Sequence, residues 1–199
     1  MTAPSGRYSI TAISLHWLIA ALILFQIGYA WWWLGAMPDH SPAQTAALHT
    51  HMSIGLTILV LSLIRLGVRL ATPVPPLPIE MPAWERLVAR ISHALFYVLI
   101  IGIPFTGWAL ASMRKPPIMF WGLFAWPHLP FMSGFSHALR HQVSHPLQLT
   151  HTTILVWGAV VLLVLHVAGA LKNQLFGPAV IWRMAPIFPR PKDRGEVVE

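Results

Sequence analysis

The chain has 199 residues, of which 56% are hydrophobic and only 10% are charged, whereas soluble domains carry about 25% charged residues. This composition excludes a disordered chain and argues against a water-soluble globule, and the absence of cysteine excludes disulfide scaffolds, iron–sulfur clusters and thiolate zinc sites. The net charge of +7 comes from 13 scattered lysines and arginines, which indicates basic membrane loops rather than binding of nucleic acid.

Four apolar segments are each long enough to cross a bilayer, which requires about 20 mostly apolar residues. They are predicted at about residues 11–36, 48–70, 91–113 and 151–171. The predicted fold class is therefore all-α, an integral membrane four-helix bundle that forms a single transmembrane domain over residues 1–199.

Two connections between the spans are distinctive. The connection after the second span begins with TPVPPLP at residues 72–78, which is too rich in proline for a helix and predicts a stiff link. Residues 114–150 are predicted to form a long external loop, because prolines interrupt the apolar stretch 116–132. Trp121 and Trp126 favour a location of this stretch in the membrane interface.

The basic residues predict the orientation, since cytoplasmic loops carry an excess of lysine and arginine. With four spans, both termini and the second connection share one side. That side carries ten basic residues: Arg7, Arg65, Arg69, Arg86, Arg90, Lys172, Arg183, Arg190, Lys192 and Arg194. The opposite side carries three: Arg114, Lys115 and Arg140. Both termini are therefore expected in the cytoplasm.

Eleven histidines are many for this length, and six of them lie near the ends of the predicted spans. On the external side these are His49, His51 and His151, and on the cytoplasmic side His16, His93 and His166. Ionisable residues inside a span are costly and usually have a partner or a function. Each level offers two imidazoles from different helices, which is what a six-coordinate b-type haem needs.

The spacing of the histidines refines this prediction. His151 and His166 are 15 residues apart, which in an ideal helix means about 60° around the axis and about 22 Å along it. One helix can therefore serve two haems. His49 and His51 lie about 200° apart, so only one of them is expected to face the bundle. We select His51, because Gly55 follows one turn later and leaves room for a flat macrocycle.

Other polar residues leave alternatives open. Three roles are open for His93. It could bind a haem in place of His16, donate a hydrogen bond to a haem propionate, or lie beside a quinone. Two roles are open for the basic residues Arg65, Arg69 and Lys172. They could pair with haem propionates on the cytoplasmic side, or they could serve only to set the orientation of the chain in the membrane. The spacing of His137, His141 and His145 places them on one face if that stretch is helical, and a solvated amphipathic helix is favoured there over a metal site.

Four segments in chain order carry a resemblance to a known family. They are RYSITAISLHWLIA from Arg7, HMSIGLTILVLSLIRLGVRL from His51, SHALFYVLIIGIPFTGWALAS from Ser92 and LHVAGALKNQL from Leu165. Together they resemble the prokaryotic cytochrome b561 family over most of the chain. The resemblance implies four helices in the bacterial inner (plasma) membrane and two b-type haems. It also implies His16 with His166 as ligands of the cytoplasmic haem and His51 with His151 as ligands of the periplasmic haem.

One feature departs from the pattern of that family. The two histidines of the fourth span are separated by one residue more than is usual, and Thr152 occupies the expected position. Either the helix contains a local irregularity, or the external ligand comes from elsewhere.

The resemblance implies electron transfer between a quinone and a periplasmic partner, with superoxide as a candidate, so the chain would be a membrane oxidoreductase in contact with lipid. Arg114, Lys115 and Arg140 would attract such an anion, or would only anchor a loop at lipid headgroups. One alternative is a haem-bearing membrane anchor of a dehydrogenase. Another is a histidine-lined metal permease, which the lack of Asp and Glu in the predicted spans disfavours. The oligomeric state stays open, with a homodimer as one alternative.

Overall fold

The computed structural model describes residues 6–114, 116–185 and 187. Its helices and strands are α1 (Ile10–Gly28), α2 (Pro42–Ala71), α3 (Ala83–Ser112), β1 (Ile118–Phe120), β2 (Phe124–Trp126), α4 (Pro130–Ser133), α5 (His137–Leu149) and α6 (Val156–Phe176). Two π-helical segments extend them: Tyr29–Leu34 continues α1, and Thr150–Leu155 joins α5 to α6. A short 3₁₀ turn, Ile181–Arg183, follows α6.

Four helical rods are long and apolar enough to cross a membrane: Ile10–Leu34, Pro42–Ala71, Ala83–Ser112 and His137–Phe176. Large apolar side chains such as Leu24, Val98 and Val164 are about 60% exposed on their outer faces. Such faces are unfavourable in water but suit contact with lipid, where helices satisfy their own backbone hydrogen bonds. The prediction of an all-α, integral membrane four-helix bundle is confirmed.

The helices are longer than the hydropathy of the sequence predicted. Ser9 caps α1 by accepting a hydrogen bond from the backbone N–H of Ala12, and Ser41 caps α2 in the same way from Gln44. α2 therefore begins at Pro42 rather than near residue 48, and α3 begins at Ala83 rather than near residue 91. Apolar runs mark only the hydrocarbon thickness, whereas a helix can continue into the polar sequence on either side.

The stretch predicted as a loop at residues 114–150 contains ordered structure. Its second part, His137–Leu149, is helical and continues into the fourth rod, which confirms that the histidines there share a helix. Its first part forms an antiparallel hairpin in which Ile118 pairs with Trp126. Ser53 of α2 holds this hairpin, because its hydroxyl accepts a hydrogen bond of 2.9 Å from the backbone N–H of Trp121. We call this side of the bundle the hairpin end.

The opposite side, which we call the terminal end, is closed by Arg183. Its guanidinium donates hydrogen bonds to the carbonyl oxygens of Gly6 at 2.8 Å and Pro76 at 2.6 Å. Burial lowers the pKa of Arg183, but an arginine remains protonated at physiological pH. Trp17 also donates a hydrogen bond of 2.7 Å to the carbonyl of Met184. Arg183 thus joins Gly6, the α2–α3 connection and the segment after α6.

Candidate functional site

A large internal cavity of about 2060 Å³ lies between the four rods. It extends from Tyr8 and Arg65 at the terminal end to Ile118 and His141 at the hairpin end. Ordinary small-molecule pockets have volumes of about 300–1,000 Å³. The cavity therefore has room for more than one large cofactor, and apolar side chains form most of its wall.

Two histidine pairs line this cavity, one at each end. At the hairpin end, the rings of His51 on α2 and His151 on the fourth rod have centroids 6.2 Å apart and planes 87° apart. At the terminal end, the rings of His16 on α1 and His166 on α6 have centroids 6.3 Å apart and planes 60° apart. The structure thus brings together the four histidines that the sequence selected, in the same two pairs.

These separations fit two imidazoles that share one metal ion. A metal-bound imidazole nitrogen lies about 2 Å from the metal and about 1 Å from its ring centroid, so two such rings on opposite sides have centroids about 6 Å apart. Among the described residues, no three His, Asp or Glu side chains are placed to hold one metal ion. A donor set of paired imidazoles suits haem, whose macrocycle supplies the remaining ligands.

Gln26 of α1 orients the ring of His51. The side-chain amide nitrogen of Gln26 donates a hydrogen bond of 2.8 Å to the carbonyl oxygen of His51 and lies 3.0 Å from its Nδ1. The other amide atom, Oε1, is buried without a hydrogen-bond partner. The sequence analysis missed Gln26, although an amide within an otherwise apolar span was an available signal.

The ring of His151 lies against α3. Its Nδ1 is 2.9 Å from the carbonyl oxygen of Ile103 and 3.0 Å from the hydroxyl of Thr106. A Cβ on Gly107 would come within 2.9 Å of its Cε1 atom, so the ring occupies the space that any other residue would fill. Thr106 and Gly107 were also missed, since the sequence does not show which residues of α3 face the fourth rod.

The additional residue between His151 and His166 is explained by the backbone. His151 lies within the π-helical segment Thr150–Leu155, and Val156–Phe176 returns to α-helix. A π turn inserts a residue into a helix while the flanking turns keep their faces. Of the two alternatives that the spacing left open, the structure shows the local irregularity.

At the terminal end, two imidazoles lie near the ring of His166: those of His16 and His93. The ring of His93 on α3 lies 5.8 Å from that of His166, and the ring of Phe96 packs against His166 at 5.1 Å. Arg65 donates a hydrogen bond of 2.6 Å to the carbonyl of Ala12, and its other terminal nitrogen lies 3.5 Å from Nδ1 of His16. Arg65 thus lies beside the predicted ligand, and the alternatives for His93 stay open on distance alone.

Lys172 forms an ion pair with Glu85 near the terminal end of the cavity. Its ammonium group forms an ion pair of 2.5 Å with Glu85, and the amide of Asn173 also donates a hydrogen bond to that carboxylate at 3.3 Å. The sequence analysis considered Lys172 as a partner of a haem propionate. Although Lys172 lines the cavity, its charge is directed to Glu85.

The hairpin end of the cavity carries further basic residues. His49 lines the cavity together with His51, contrary to the expectation that only one of them would face the bundle. The Nδ1 atom of His49 is buried without a hydrogen-bond partner. The cavity wall at this end also includes Arg114, His137, Arg140 and His141. Lys115, Arg190, Lys192 and Arg194, which the sequence analysis also counted, lie outside the described residues.

Comparison with known proteins decides the family. The sequence pattern of prokaryotic cytochrome b561 matches residues 7–186 of this chain. The chain belongs to the prokaryotic cytochrome b561 family. Members of this family bind b-type haem, so the chain is a membrane-integral b-type cytochrome that takes part in electron transfer. The resemblance noted in the sequence is confirmed.

Individual relatives within the cytochrome b561 family cover different shares of the chain. It is 29% identical to cytochrome b561 homolog 2 of Escherichia coli strain K12 over 175 residues. These residues are 84% of this chain and 85% of that relative. It is 31% identical over 108 residues to cytochrome b561 homolog 1 of the same strain, covering 54% of this chain and 60% of that protein. It is also 28% identical over 124 residues to a protein of Yersinia pestis named probable superoxide oxidase CybB, covering 61% and 67%.

Proposed function

We propose that this cytochrome b561 holds two b-type haems and carries electrons across the bacterial inner membrane between a quinone and a periplasmic partner. The observation that carries the proposal is the presence of two imidazole pairs, separated by 6.2 and 6.3 Å, at opposite ends of one cavity. His51 and His151 would hold the haem at the hairpin end. His16 and His166 would hold the haem at the terminal end.

The chain supplies the environment and the haem supplies the redox chemistry. When bound, haem provides one-electron oxidation and reduction at a potential that axial ligands and burial adjust. At the hairpin end, Leu56, Leu59, Ala111 and Ile118 form a buried apolar cluster that excludes water. Gln26 and Thr106 contact the rings of His51 and His151. At the terminal end, Arg65 provides a positive charge beside His16.

The proposed orientation follows from the distribution of charge. Of the described residues, those at the terminal end include Arg7, Arg65, Arg69 and Arg183, whereas the hairpin end has Arg114 and Arg140. Because cytoplasmic loops are enriched in basic residues, the terminal end would face the cytoplasm. The hairpin and the outer part of the fourth rod would then lie in the periplasm.

We propose superoxide as the periplasmic electron donor. Two observations support this choice: one relative bears the name probable superoxide oxidase, and the cavity wall at the hairpin end includes Arg114 and Arg140. Two superoxide anions would each release one electron and leave as O₂, and a quinone would take up two electrons and two protons. Cationic residues that line a cavity raise the local concentration of an anionic substrate.

The haem content of purified variants tests the ligand assignment. The wild-type chain is expected to contain two haems per polypeptide. His51→Ala and His151→Ala should each lose the same haem, and His16→Ala and His166→Ala should each lose the other. His49→Ala and His93→Ala are matched controls that remove a cavity-lining imidazole and should retain both. A colourless wild-type protein, or loss of a haem from His93→Ala but not from His16→Ala, would overturn the assignment.

Ionic strength tests the proposed donor. In proteoliposomes, the second-order rate constant of superoxide-driven quinone reduction should fall as the salt concentration rises, because salt screens the attraction of an anion to Arg114 and Arg140. An Arg114→Gln, Arg140→Gln double variant should react more slowly at low salt and show a weaker salt dependence. Equal salt dependence in wild type and variant would contradict the role of these charges.

A further inference from the structure

The Nδ1 atom of the His151 imidazole contacts two groups of α3. Its Nδ1 lies 2.9 Å from the carbonyl oxygen of Ile103 and 3.0 Å from the hydroxyl oxygen of Thr106. The Thr106 hydroxyl also donates a hydrogen bond of 2.7 Å to the Ile103 carbonyl. The Nδ1 edge of the ring thus faces two oxygens that lie side by side.

This arrangement determines which nitrogen of His151 carries the proton. A backbone carbonyl oxygen can only accept, so the hydrogen bond to Ile103 requires an N–H at Nδ1. A neutral imidazole has one N–H, and Nε2 is then left with a free lone pair. Nε2 is therefore the nitrogen of His151 that is available to bind a metal.

Gly107 keeps the ring in this position. A Cβ at residue 107 would lie 2.9 Å from Cε1, 3.4 Å from Nε2 and 3.5 Å from Nδ1 of His151, so this part of the ring lies close to the glycine. By contrast, a Cβ at Gly102 of the same helix would have no atom within 4 Å. The close approach is thus specific to the contact with His151.

The hydrogen-bond partner of His51 is of a different kind. The amide nitrogen of Gln26 donates a hydrogen bond to the carbonyl oxygen of His51, and its approach to Nδ1 leaves the tautomer of that ring to be set by what the ring binds. At His151, the carbonyl oxygen that faces Nδ1 is an acceptor. The two imidazoles of the hairpin-end pair therefore differ in their surroundings. Two oxygen atoms face Nδ1 of His151, whereas an amide nitrogen faces Nδ1 of His51.

We propose that Thr106 is a positioning residue, which together with the Ile103 carbonyl fixes the Nδ1–H form of His151 and would strengthen its Nε2 as a haem ligand. The inference rests on the proposed function, in which His151 holds the haem at the hairpin end. Hydrogen-bond acceptors on the far nitrogen of a ligating histidine orient the ring and raise its basicity. A more basic ligand favours the oxidised, more highly charged metal, so Thr106 lowers the reduction potential of that haem.

Two substitutions at residue 106 separate this role from packing. Thr106→Val keeps the shape of the side chain and removes the hydroxyl, whereas Thr106→Ser keeps the hydroxyl and removes a methyl group. The measurements are the midpoint potential of each haem by spectroelectrochemical titration and the rate of haem loss to an excess of apomyoglobin. Thr106→Val should raise the potential of the hairpin-end haem and weaken its retention by about 10- to 100-fold. Thr106→Ser should behave as wild type.

The haem at the terminal end serves as an internal reference. Its potential and retention should stay at the wild-type values in both variants. A Thr106→Val protein with two haems and unchanged potentials would overturn the inference, and so would an equal shift of both haems. The proposed function fails separately: if His151→Ala retains its hairpin-end haem, the ligand assignment is wrong whatever Thr106 does.

Discussion

Gly107 is the residue of α3 at which an added side chain would collide with His151. Gly107→Ala would place a methyl group 2.9 Å from the imidazole, closer than real side chains approach, so the ring must move. We expect this variant to lose the hairpin-end haem or to bind it much more weakly, and to retain the haem at the terminal end. The haem content and the reduced-minus-oxidised spectrum of the purified protein check this.

Gly102→Ala is the matched control, because it makes the same substitution in the same helix where nothing lies within 4 Å. It should retain both haems, with a slight gain in stability, because alanine favours a helix by about 1 kcal/mol over glycine. Equal haem content in the two alanine variants would show that the contact at Gly107 does not hold the ring.

The histidines were predictable from the sequence, and Gln26 left a signal as an amide in an apolar span, whereas the contacts that these orienting residues make were not predictable. His16, His51, His151 and His166 stand out because imidazoles are rare at membrane depth, and their levels follow from position along each span. Gln26 and Thr106 are uncharged, and threonine is unremarkable in a membrane helix. Their role depends on which faces of two helices meet, and this is a property of tertiary packing that one sequence does not record.

The π-helical segment Thr150–Leu155 sets the rotation of His151 relative to His166. Deletion of Thr153, an exposed residue of this segment, should let the helix close into regular α turns with His151 on its present face. We therefore expect the Thr153 deletion to retain two haems. Haem content per chain is again the measurement.

Deletion of Val161, an exposed residue within α6, provides the contrast. A deletion in regular α-helix rotates the residues before it by about 100° relative to the residues after it. This variant should lose one of the two haems. If both deletions had the same effect, the π segment would not be the element that accommodates the additional residue.

The number and order of the helical rods were predictable from the sequence, but their ends were not. The number and order of the four rods follow from apolar runs, because the hydrocarbon thickness imposes a minimum length. Their ends do not, since Ser41 and Pro42 start α2 in a polar stretch that hydropathy treats as loop. The helix at His137–Leu149 was likewise predicted only conditionally, because its polar composition lies outside the range that indicates a membrane span.

The proposed topology of the whole molecule is testable because the chain has no cysteine. Leu123→Cys, at a hairpin position that is 79% exposed, should react with a membrane-impermeant maleimide in intact spheroplasts. Ile79→Cys, in the α2–α3 connection and 86% exposed, should react only after the membrane is permeabilised. The reverse pattern of labelling would place the terminal end in the periplasm.

The two imidazole pairs are most directly tested by haem content in double variants. A double variant within one pair, His51→Ala with His151→Ala, should retain one haem, and so should His16→Ala with His166→Ala. A double variant across the pairs, His51→Ala with His166→Ala, should retain none. Retention of one haem by the cross-pair variant, or complete loss from a within-pair variant, would contradict two separate sites built from these four histidines.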